Sequence, residues 1–365
     1  MKIVVLGTRG FPNVQGGVEK HCEKLYPCLV KLGAQVTVLT RKPYIDPEVK
    51  SYLGVSLIPI SCPKQKFLEA IVHTFKGVWA AKRLKPDILH VHAVGPSLMI
   101  TLARLLGLKV VMTHHGPDYE RKKWNVIAKT VLKLGEWAGC RFANQVIVIS
   151  QTIAKQVKTK YNRETIIIPN GVNIPQISNT DEALRKFGLE KGKYILAVGR
   201  FVPEKGFHDL IEAYSKCKSP YKLVIVGDAD HEDEYSRKLK DQAGDVSNIV
   251  LTGFLTGQEL FELYSHAGLF ILPSYYEGLP IVLLEAMSYG LSCVVSDIPA
   301  NREVPLSQER YFKPGDIDQM GQRIQEFVLK PFMEEDRKKQ VELIKQSYNW
   351  DKIAVQTQQV YSTIC

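Results

Sequence analysis

The sequence predicts an α/β protein of two domains, each built on a parallel sheet that helices cover on both faces. Three observations support this prediction. The chain has 365 residues, the usual length of two domains. Short apolar runs alternate with amphipathic stretches, as in buried parallel strands joined by helices. The alternation pauses after Pro169-Asn-Gly171 and begins again, so both halves are predicted to be Rossmann-like, with sheets facing across a cleft.

The elements follow from the periodicity of apolar residues. In the first half, strands are predicted at 2–7, 35–40, 55–60, 87–92, 109–114 and 145–150, and helices at 17–32, 67–84, 96–106, 122–143 and 151–160. In the second half, strands are predicted at 194–198, 222–226, 248–253, 268–273 and 292–296. A capping box, Thr256-Gly-Gln-Glu259, opens one later helix, and Pro280 lies in the first turn of another.

Domain bounds follow from the pause in this pattern. We predict an N-terminal Rossmann-like domain over 1–172 and a C-terminal Rossmann-like domain over 173–345. A C-terminal helix in 346–365 is amphipathic and can dock on either domain, the N-terminal one being preferred.

Composition limits the classes of function. With 45% hydrophobic and 24% charged residues and no apolar run of about 18, a membrane-spanning helix is not expected. The N-terminus enters a strand directly, so no signal peptide is expected. Seven scattered cysteines without a CxxC pair indicate reduced thiols in a cytoplasmic protein. The net charge of +10 favours anionic partners, but no nucleic-acid-binding motif is present, so nucleic acid is not expected.

The first predicted strand ends in a glycine-rich loop, Gly7-Thr-Arg-Gly10-Phe-Pro-Asn-Val-Gln-Gly16-Gly17, which opens a helix. Glycines let backbone N–H groups approach an anion closely, so Gly16 and Gly17 are candidates for phosphate contact; a plain strand-to-helix turn is the alternative. The spacing is not GxGxxG, the usual dinucleotide motif. Arg41, at the end of the second strand, keeps an NADP-dependent oxidoreductase as a remote alternative.

Polar residues follow two further predicted strands, at the sheet edge where α/β proteins bind ligands. The strand at 109–114 runs into His114 and His115, one of which is a candidate ligand contact; loop histidines bonded to backbone are the alternative. In the second half, Arg200 and Lys205 follow the first strand. A guanidinium and an ammonium can hold a diphosphate from two directions, although two solvated surface cations fit these positions equally well.

The sharpest pattern is Ser274-Tyr-Tyr-Glu277-Gly-Leu-Pro-Ile-Val-Leu-Leu-Glu285. It predicts a loop and then a helix, with Glu277 just before the helix N-terminus and Glu285 inside the helix. A carboxylate accepts two hydroxyl hydrogen bonds, so Glu285 can hold a ribose diol and Glu277 a sugar hydroxyl. The alternatives are helix capping for Glu277 and an exposed or ion-paired Glu285. Because the neighbours of Glu285 are apolar and an unpartnered buried carboxylate is costly, a ligand is favoured.

These residues resemble the retaining glycosyltransferases of family 4, which have the two-domain GT-B fold, over nearly the whole chain. The most specific element is the pair Glu277 and Glu285, followed by Ala-Met and a glycine. Supporting motifs are Val198-Gly-Arg200…Lys205-Gly206, Val224-Ile-Val-Gly227, Leu251-Thr-Gly-Phe254, Thr113…His115-Gly116 and Ile168-Pro-Asn-Gly171-Val. The N-terminal glycine loop is similar to that of a subset linked to bacterial surface-polysaccharide synthesis. Asn173 stands where many relatives have Asp.

The resemblance implies retaining transfer of a hexosyl group from a nucleotide-diphosphate sugar, UDP- or GDP-linked, to a glycan or lipid-linked acceptor. It also implies that the domain over 1–172 binds the acceptor and the domain over 173–345 binds the nucleotide sugar. Arg200 and Lys205 would neutralise the departing diphosphate, Glu277 would bind the transferred sugar, and His115 would touch sugar or acceptor; these four are the implied catalytic residues. The implied donor site comprises Gly16, Gly17, Arg200, Lys205, Gly253, Phe254, Glu277, Gly278, Leu279, Pro280, Ile281 and Glu285.

Neither a cofactor nor a metal is expected, because no DxD-type metal motif is evident. Asp228-Ala-Asp230 has the spacing, but it follows a glycine turn and is predicted to be loop. Two other functions stay open: a sugar-nucleotide epimerase of the same architecture and a non-catalytic nucleotide-sugar-binding protein.

Two stretches, Pro63–Pro86 and Tyr119–Phe142, are basic and amphipathic. Such helices either lie on anionic membrane surfaces or present a solvated face. The first reading predicts a cytoplasmic enzyme that visits the inner face of the plasma membrane. The residues concerned are Lys64, Lys66, Lys76, Lys82, Arg83, Lys85, Arg121, Lys122, Lys123, Trp124, Lys129, Lys133, Trp137 and Arg141.

Overall fold

A computed structural model describes residues 1–46, 48–63, 68–120, 125–230 and 232–365. The predicted basic residues at 64, 66 and 121–123 and Trp124 lie outside these ranges. The chain forms two compact units. The N-terminal unit contains Met1–Gly171 together with Trp350–Cys365, and the C-terminal unit contains Val172–Asn349.

The N-terminal unit is built on an eight-stranded sheet in the order β3-β4-β2-β1-β5-β6-β7-β8. Its strands are β1 Lys2–Leu6, β2 Gln35–Arg41, β3 Ser51–Tyr52, β4 Val55–Ile60, β5 Ile88–His92, β6 Val110–His114, β7 Gln145–Val148 and β8 Ile166–Ile167. All pairs are parallel except β3 with β4. The central strands β1, β5 and β6 are buried because helices cover both faces, which explains their continuous apolar sequences.

The helices of this unit connect successive strands. They are α1 Gly17–Lys31, α2 Leu68–Leu84, α3 Ile100–Leu105, α4 Val126–Phe142 and α5 Gln151–Tyr161. Helix α5 shows the local signals that set its ends: the Ser150 side chain accepts a hydrogen bond from the Ile153 N–H, and Asn162 ends the helix in a left-handed conformation.

The C-terminal unit is built on a six-stranded sheet in the order β11-β10-β9-β12-β13-β14, and all of its pairs are parallel. Its strands are β9 Tyr194–Val198, β10 Lys222–Val226, β11 Ile249–Gly253, β12 Leu269–Leu272, β13 Cys293–Ser296 and β14 Tyr311–Phe312. Its helices are α6 Glu182–Lys186, α7 Phe207–Lys216, α8 Glu234–Gly244, α9 Gly257–His266, α10 Ile281–Ser288, α11 Pro299–Arg302, α12 Ile317–Leu329 and α13 Glu334–Ser347.

Two details of these helices correct the sequence prediction. Thr256 precedes α9 as predicted, but its side chain forms no capping hydrogen bond with the described helix residues. Glu259 forms an ion pair at 2.6 Å with Lys186 on α6 instead, so the capping box is wrong although the helix is right. Pro280 is the residue before α10 and does not lie in its first turn.

The last helix, α14 (Trp350–Ser362), packs within the N-terminal unit. Its apolar face is buried against α1 and the sheet, in a core that includes Ile3, Tyr26 and Ile88. The predicted apolar members Trp350, Ile353, Ala354, Val360 and Tyr361 are all buried. Among the residues that the structure describes, no helix is both long and apolar enough to cross a bilayer.

In each sheet, the strands that next follow the first strand lie on one side of it and the later strands lie on the other, so the order of strand addition reverses there. In the N-terminal unit, β2 lies on one side of β1 and β5 on the other; in the C-terminal unit, β10 and β12 lie on opposite sides of β9. The loops after two such strands diverge and leave a crevice, which is where α/β folds bind ligands. We call these places the β1/β5 switch point and the β9/β12 switch point.

Candidate active site

An ion pair joins the two loops of the β9/β12 switch point. The Lys205 ammonium lies 2.6 Å from Glu277 Oε1, and the Ser274 hydroxyl donates to the same oxygen at 2.7 Å. Lys205 ends a short 3-10 turn after β9, and Glu277 lies in the loop after β12. Between them, Gly206 has a φ of 66°, and a Cβ there would meet the Pro273 carbonyl oxygen at 2.3 Å. The two loops are therefore held together by side chains and by a close approach that requires glycine.

Arg200, on the same loop after β9, forms a second ion pair. Its Nη1 lies 2.8 Å from Asp230 Oδ2, and both side chains are about four-fifths buried. Asp228 pairs with Lys240 on α8 at 3.0 Å. The predicted solvated-cation alternative is wrong for Arg200 and Lys205, because each holds a carboxylate. Asp228 and Asp230 lie in a loop, as predicted, and each has a cation as partner.

Glu285 lies on α10, half-buried, with a partner that the sequence did not reveal. The Tyr264 hydroxyl donates to Glu285 Oε2 at 3.2 Å, and Tyr264 stacks on Tyr289 with ring centroids 5.2 Å apart. Burial, followed by the Glu285 charge, raises the pKa of Tyr264 well above its ordinary value, so the phenol keeps its proton and donates. Tyr264 is thus a neutral hydrogen-bond donor to Glu285.

The predicted backbone contacts lie around the start of α10 and the end of β11. Leu279 and Ile281 are buried, Gly278 is partly buried, and Pro280 contributes no N–H. At the end of β11, the Gly253 carbonyl accepts a hydrogen bond from the Gly227 N–H at 2.9 Å. The next residue, Phe254, has 44% of its surface exposed, which is the condition for stacking with a planar ligand group.

The glycine loop after β1 is shaped by a buried ion pair that sequence reasoning missed. Arg9 Nε lies 3.2 Å from Glu19 Oε1, and the Arg9 backbone N–H donates to the same oxygen. Gly16 has a φ of 148°, and a Cβ there would lie 2.1 Å from Glu19 Oε2, whereas a Cβ on Gly17 would meet no atom of the described residues within 4 Å. Burial raises the pKa of Glu19, but the Arg9 charge and hydrogen bonds outweigh it and lower the net pKa.

The β1/β5 switch point carries histidines. His115, which follows β6, is joined through Nε2 to His92 Nδ1 at 2.9 Å. The His21 ring, on α1, packs edge-on against His115 with centroids 4.9 Å apart, and its Nδ1 lies 3.0 Å from Asn170 Oδ1. His114 points into a separate network, where its Nε2 lies 2.9 Å from Glu136 Oε1. Of the two predicted histidines, His115 therefore faces the switch point and His114 is structural.

The pKa values of these imidazoles are low. Burial, slightly offset by the hydrogen bond to Asn170, lowers the pKa of His21 to about 4, and burial with the neighbouring His21 lowers the pKa of His90 to about 3. Burial and the other histidines also hold the pKa of His92 and of His115 well below the ordinary value. At neutral pH the group is uncharged, so each ring offers one N–H and one lone pair. Sequence reasoning missed His21, His90 and His92 because they meet only in the folded chain.

Comparison with known proteins identifies the family. The sequence matches Glycosyltransferase Family 4 over residues 15–176 and Glycosyl transferases group 1 over residues 179–350. An uncharacterized glycosyltransferase of Methanocaldococcus jannaschii is 28% identical, covering 99% of this chain and 98% of that protein. The UDP-Gal:alpha-D-GlcNAc-diphosphoundecaprenol alpha-1,3-galactosyltransferase of Escherichia coli is 26% identical, covering 71% of this chain and 69% of that protein.

Among solved structures, Anabaena HepE in complex with UDP-glucose has a TM-score of 0.81 and 19% sequence identity, and the alignment covers both chains completely. This likeness shows the fold. Two parallel-sheet α/β units, one matched by each family description, account for nearly the whole chain. The protein belongs to the family 4 glycosyltransferases and has the GT-B fold.

Proposed function

We propose that this protein transfers a hexosyl group, with retention, from a nucleotide-diphosphate sugar to a glycan or lipid-linked acceptor. The observation that carries the proposal is the Lys205–Glu277 ion pair at the β9/β12 switch point, 2.6 Å long, with Arg200 beside it on the same loop. Such a transfer releases a nucleoside diphosphate, and cations fixed where its charge develops lower the barrier.

The two cations suit a diphosphate in different ways. An ammonium has three donors, of which the contact with Glu277 uses one, and a guanidinium presents a planar fork of five. The ion pairs of Lys205 with Glu277 and of Arg200 with Asp230 hold both cations in position before the donor binds. This pre-organisation means that little reorganisation is needed when the diphosphate leaves.

Glu277 serves in this proposal as a binding and positioning group. It already accepts hydrogen bonds from Lys205 and Ser274, so its remaining lone pairs suit a sugar hydroxyl better than proton abstraction. In the proposed step, the bond from the anomeric carbon to the diphosphate oxygen breaks and a bond to the acceptor oxygen forms on the same face. The acceptor proton passes to the departing diphosphate oxygen.

The other predicted residues complete the donor site. Glu285 would hold the ribose diol, and Phe254 the base, with Gly253 turning the chain beneath it. Backbone amides from Gly278 to Ile281 would contact diphosphate or sugar. Gly16, Gly17 and His115 are proposed to meet phosphate and sugar from the N-terminal unit.

Names of related proteins support the substrate class. The Escherichia coli relative is named for a UDP-galactose donor and a diphosphoundecaprenol-linked acceptor, and HepE was solved with UDP-glucose. We therefore favour a UDP-sugar, with a GDP-sugar as second choice, a lipid-linked glycan acceptor and a role in cell-surface polysaccharide synthesis. We also propose metal-independent transfer, because Asp228 and Asp230 already neutralise Lys240 and Arg200.

The donor class is tested by thermal shift with UDP-, GDP-, ADP- and dTDP-sugars, with and without EDTA. We expect one nucleotide class to stabilise the chain, by about 2.7 kcal/mol at a concentration 100 times its Kd, and the size of this donor-induced stabilisation to be the same with EDTA as without it. Transfer to a lipid-diphosphate glycan is then followed by NMR of the product. An inverted anomeric configuration would contradict retention, and a donor epimer formed without acceptor would indicate the epimerase alternative.

Helices α2 and α4 favour a peripheral membrane site on the N-terminal unit. On α2, Ile71, Phe75 and Trp79 recur every fourth residue and are 44–48% exposed. On α4, Val126 and Ile127 are 80% and 75% exposed. Basic residues lie on the same helices: Lys76, Lys82, Arg83, Lys129, Lys133 and Arg141. Exposed apolar side chains among cations are typical of helices that lie on anionic bilayers, so we propose that the enzyme meets its acceptor there, at the cytoplasmic face.

Vesicle flotation tests this surface. We expect binding to vesicles that contain anionic lipid, weaker binding to neutral ones, and loss of binding in a Phe75→Ser, Trp79→Ser double variant. Leu329→Ser is the matched control, because Leu329 is 74% exposed but lies in the C-terminal unit. Equal binding to neutral and anionic vesicles, or equal loss in both variants, would contradict the proposal.

A further inference from the structure

Three histidines from distant parts of the sequence meet at the β1/β5 switch point. His21 lies on α1, His92 ends β5 and His115 follows β6. One ring nitrogen of each lies within 4.8 Å of those of the other two. His21 and His92 are fully buried and His115 is half-buried, so the group lies at the edge of the protein interior. No local sequence motif predicts it, since metal motifs are recognised by short spacings.

We propose that His21, His92 and His115 form a binding site for a transition-metal ion of the zinc class. Zinc binds imidazole nitrogen at about 2.0–2.1 Å, so tetrahedral ligand atoms lie about 3.3 Å apart. His92 Nδ1 and His115 Nε2 are already 2.9 Å apart, and small side-chain rotations would bring the three nitrogens to one ion. Three protein ligands leave a fourth position for water or another oxygen ligand.

The surroundings orient the ligand atoms. In metal sites, the second nitrogen of each histidine usually donates to a fixed acceptor, which fixes the tautomer. His21 meets this condition because its Nδ1 lies 3.0 Å from the carbonyl oxygen of the buried Asn170 amide. An amide oxygen only accepts, so Nδ1 carries the proton and His21 Nε2 keeps its lone pair.

His92 is oriented by a longer chain of hydrogen bonds. Its Nε2 contacts the Tyr26 hydroxyl, which lies 3.0 Å from His90 Nδ1, and His90 Nε2 lies 2.7 Å from Thr113 Oγ1. If each group donates to the next, His92 Nε2 donates to Tyr26, Tyr26 to His90 and His90 Nε2 to Thr113. The lone pair of His92 then lies on Nδ1, which faces His115.

Proton balance follows from these tautomers. With a lone pair on His92 Nδ1, the hydrogen bond to His115 has His115 Nε2–H as its donor. A metal ion takes the place of that proton, and neutral His115 then carries its N–H on Nδ1. No net proton is released, because all three rings are neutral before and after binding.

The donor atoms also select the ion. Imidazole nitrogen suits Zn²⁺, Co²⁺, Ni²⁺ and Cu²⁺, whereas Mg²⁺, Ca²⁺ and Mn²⁺ prefer carboxylate, carbonyl and water oxygens. This site is therefore distinct in chemistry from the carboxylate-bound magnesium or manganese sites by which metal-dependent enzymes hold a nucleotide diphosphate. The proposal stands or fails separately from the nucleotide-sugar proposal, since its test measures metal binding and not transfer.

The test is titration of the EDTA-stripped, dialysed full-length protein with Zn²⁺ by calorimetry and with Co²⁺ by visible absorption. We expect one ion per chain and the intense d–d bands of four-coordinate cobalt. His115→Gln should weaken binding more than 100-fold, beyond the 10–100-fold that outer contacts cost, and Asn170→Ala should weaken it within that range. His208→Gln is the matched control, because His208 is a partly exposed histidine of the C-terminal unit and should bind as the wild type.

Thermal melting of each variant checks that it is folded, and His21→Gln replaces any variant that is not. The proposal is overturned if the wild type binds no Co²⁺, if the cobalt spectrum is that of an octahedral ion, or if folded His115→Gln and His21→Gln bind as tightly as the wild type. Loss of binding in His208→Gln would assign the ion to a surface histidine and overturn it equally.

Discussion

The two switch points of this protein have the same topology but opposite chemistry. At the β1/β5 switch point, the loop after β1 holds the buried Arg9–Glu19 ion pair, and the other groups are buried histidines, tyrosines and an asparagine joined by hydrogen bonds between uncharged partners. At the β9/β12 switch point, the groups are lysine, arginine and carboxylates joined as ion pairs, and their side chains are 12–24% exposed. Burial explains the neutral histidines, because removing an imidazole from water lowers its pKa.

This difference assigns different tasks to the two places. A departing diphosphate needs positive charge, which the β9/β12 switch point supplies with two cations, Lys205 and Arg200, whereas the loop after β1 carries Arg9 in a buried pair with Glu19. The β1/β5 switch point offers directional donors and acceptors without net charge, which suits sugar hydroxyls or a metal ion. We expect substitutions at the β9/β12 switch point to affect the stabilisation of the diphosphate charge. Substitutions at the β1/β5 switch point are expected to affect geometry and the response of stability to pH.

The largest effect is expected from Lys205→Ala. Removing the ammonium takes away transition-state charge stabilisation and leaves Glu277 beside the diphosphate without its partner. By analogy with the loss of one oxyanion donor, kcat/KM should fall by about 10²–10³-fold. Steady-state transfer assays measure this.

Lys216→Ala is the matched control, because it breaks a lysine–glutamate pair that is half-exposed on α7. Exposed pairs contribute little, about 0.3–0.5 kcal/mol in helices, so the control should keep its activity. A similar loss in both variants would refute a specific role for Lys205.

A smaller effect is expected at Glu285. Glu285→Gln keeps the shape but removes the charge that would bind the ribose diol, so nucleotide affinity should drop by about 10–100-fold, the value of 1.5–3 kcal/mol for a charged hydrogen bond. Tyr264→Phe removes only the hydroxyl that donates to Glu285, at 3.2 Å, and should cost less. Calorimetry with the nucleoside diphosphate compares the two. If Tyr264→Phe weakened binding more than Glu285→Gln, the ribose role would be wrong.

Sequence reasoning succeeded where local pattern decides structure. Continuous apolar runs located β1, β5 and β9 because these strands are buried on both faces, whereas β3, β8 and β14, two residues each, were too short to show a period. The Glu277–Glu285 motif pointed to the β9/β12 switch point. Contacts between residues distant in sequence were not predictable. Glu259 pairs with Lys186 and does not cap its own helix, and His21 lies near His92 only because α1 packs against the sheet.

The uncharged state of the histidines predicts a pH response. The pKa of His21 falls from an ordinary value of 6.5 to about 4 on folding, and that of His90 to about 3. Below pH 6.5 the unfolded chain binds protons that the folded chain does not, so stability is full above pH 6.5 and declines towards pH 4. Each such histidine contributes a slope of about 1.4 kcal/mol per pH unit.

Urea unfolding at pH 7, 6 and 5, with EDTA present, measures this slope. His21→Asn should unfold with a shallower dependence on pH than the wild type between pH 6.5 and 4. Lys205→Ala should keep the wild-type slope, because its switch point carries no buried histidine among the groups described here. An identical slope in His21→Asn would show that folding does not lower the pKa of His21.

The smallest effect is expected from two adjacent glycines, Gly16 and Gly17, at the β1/β5 switch point. Alanine at Gly16 would be strained, since φ is 148° and its Cβ would lie 2.1 Å from the Glu19 carboxylate, which Arg9 holds in place. We expect Gly16→Ala to lose about 1–3 kcal/mol of stability. Gly17→Ala has open space around its Cβ, so its stability should change by less than about 0.5 kcal/mol. If Gly17→Ala nevertheless raises KM for the donor, the added methyl group must meet the substrate rather than the protein. An unchanged KM in Gly17→Ala would indicate that the glycine loop only shapes the turn. Donor binding would then be assigned to the β9/β12 switch point alone.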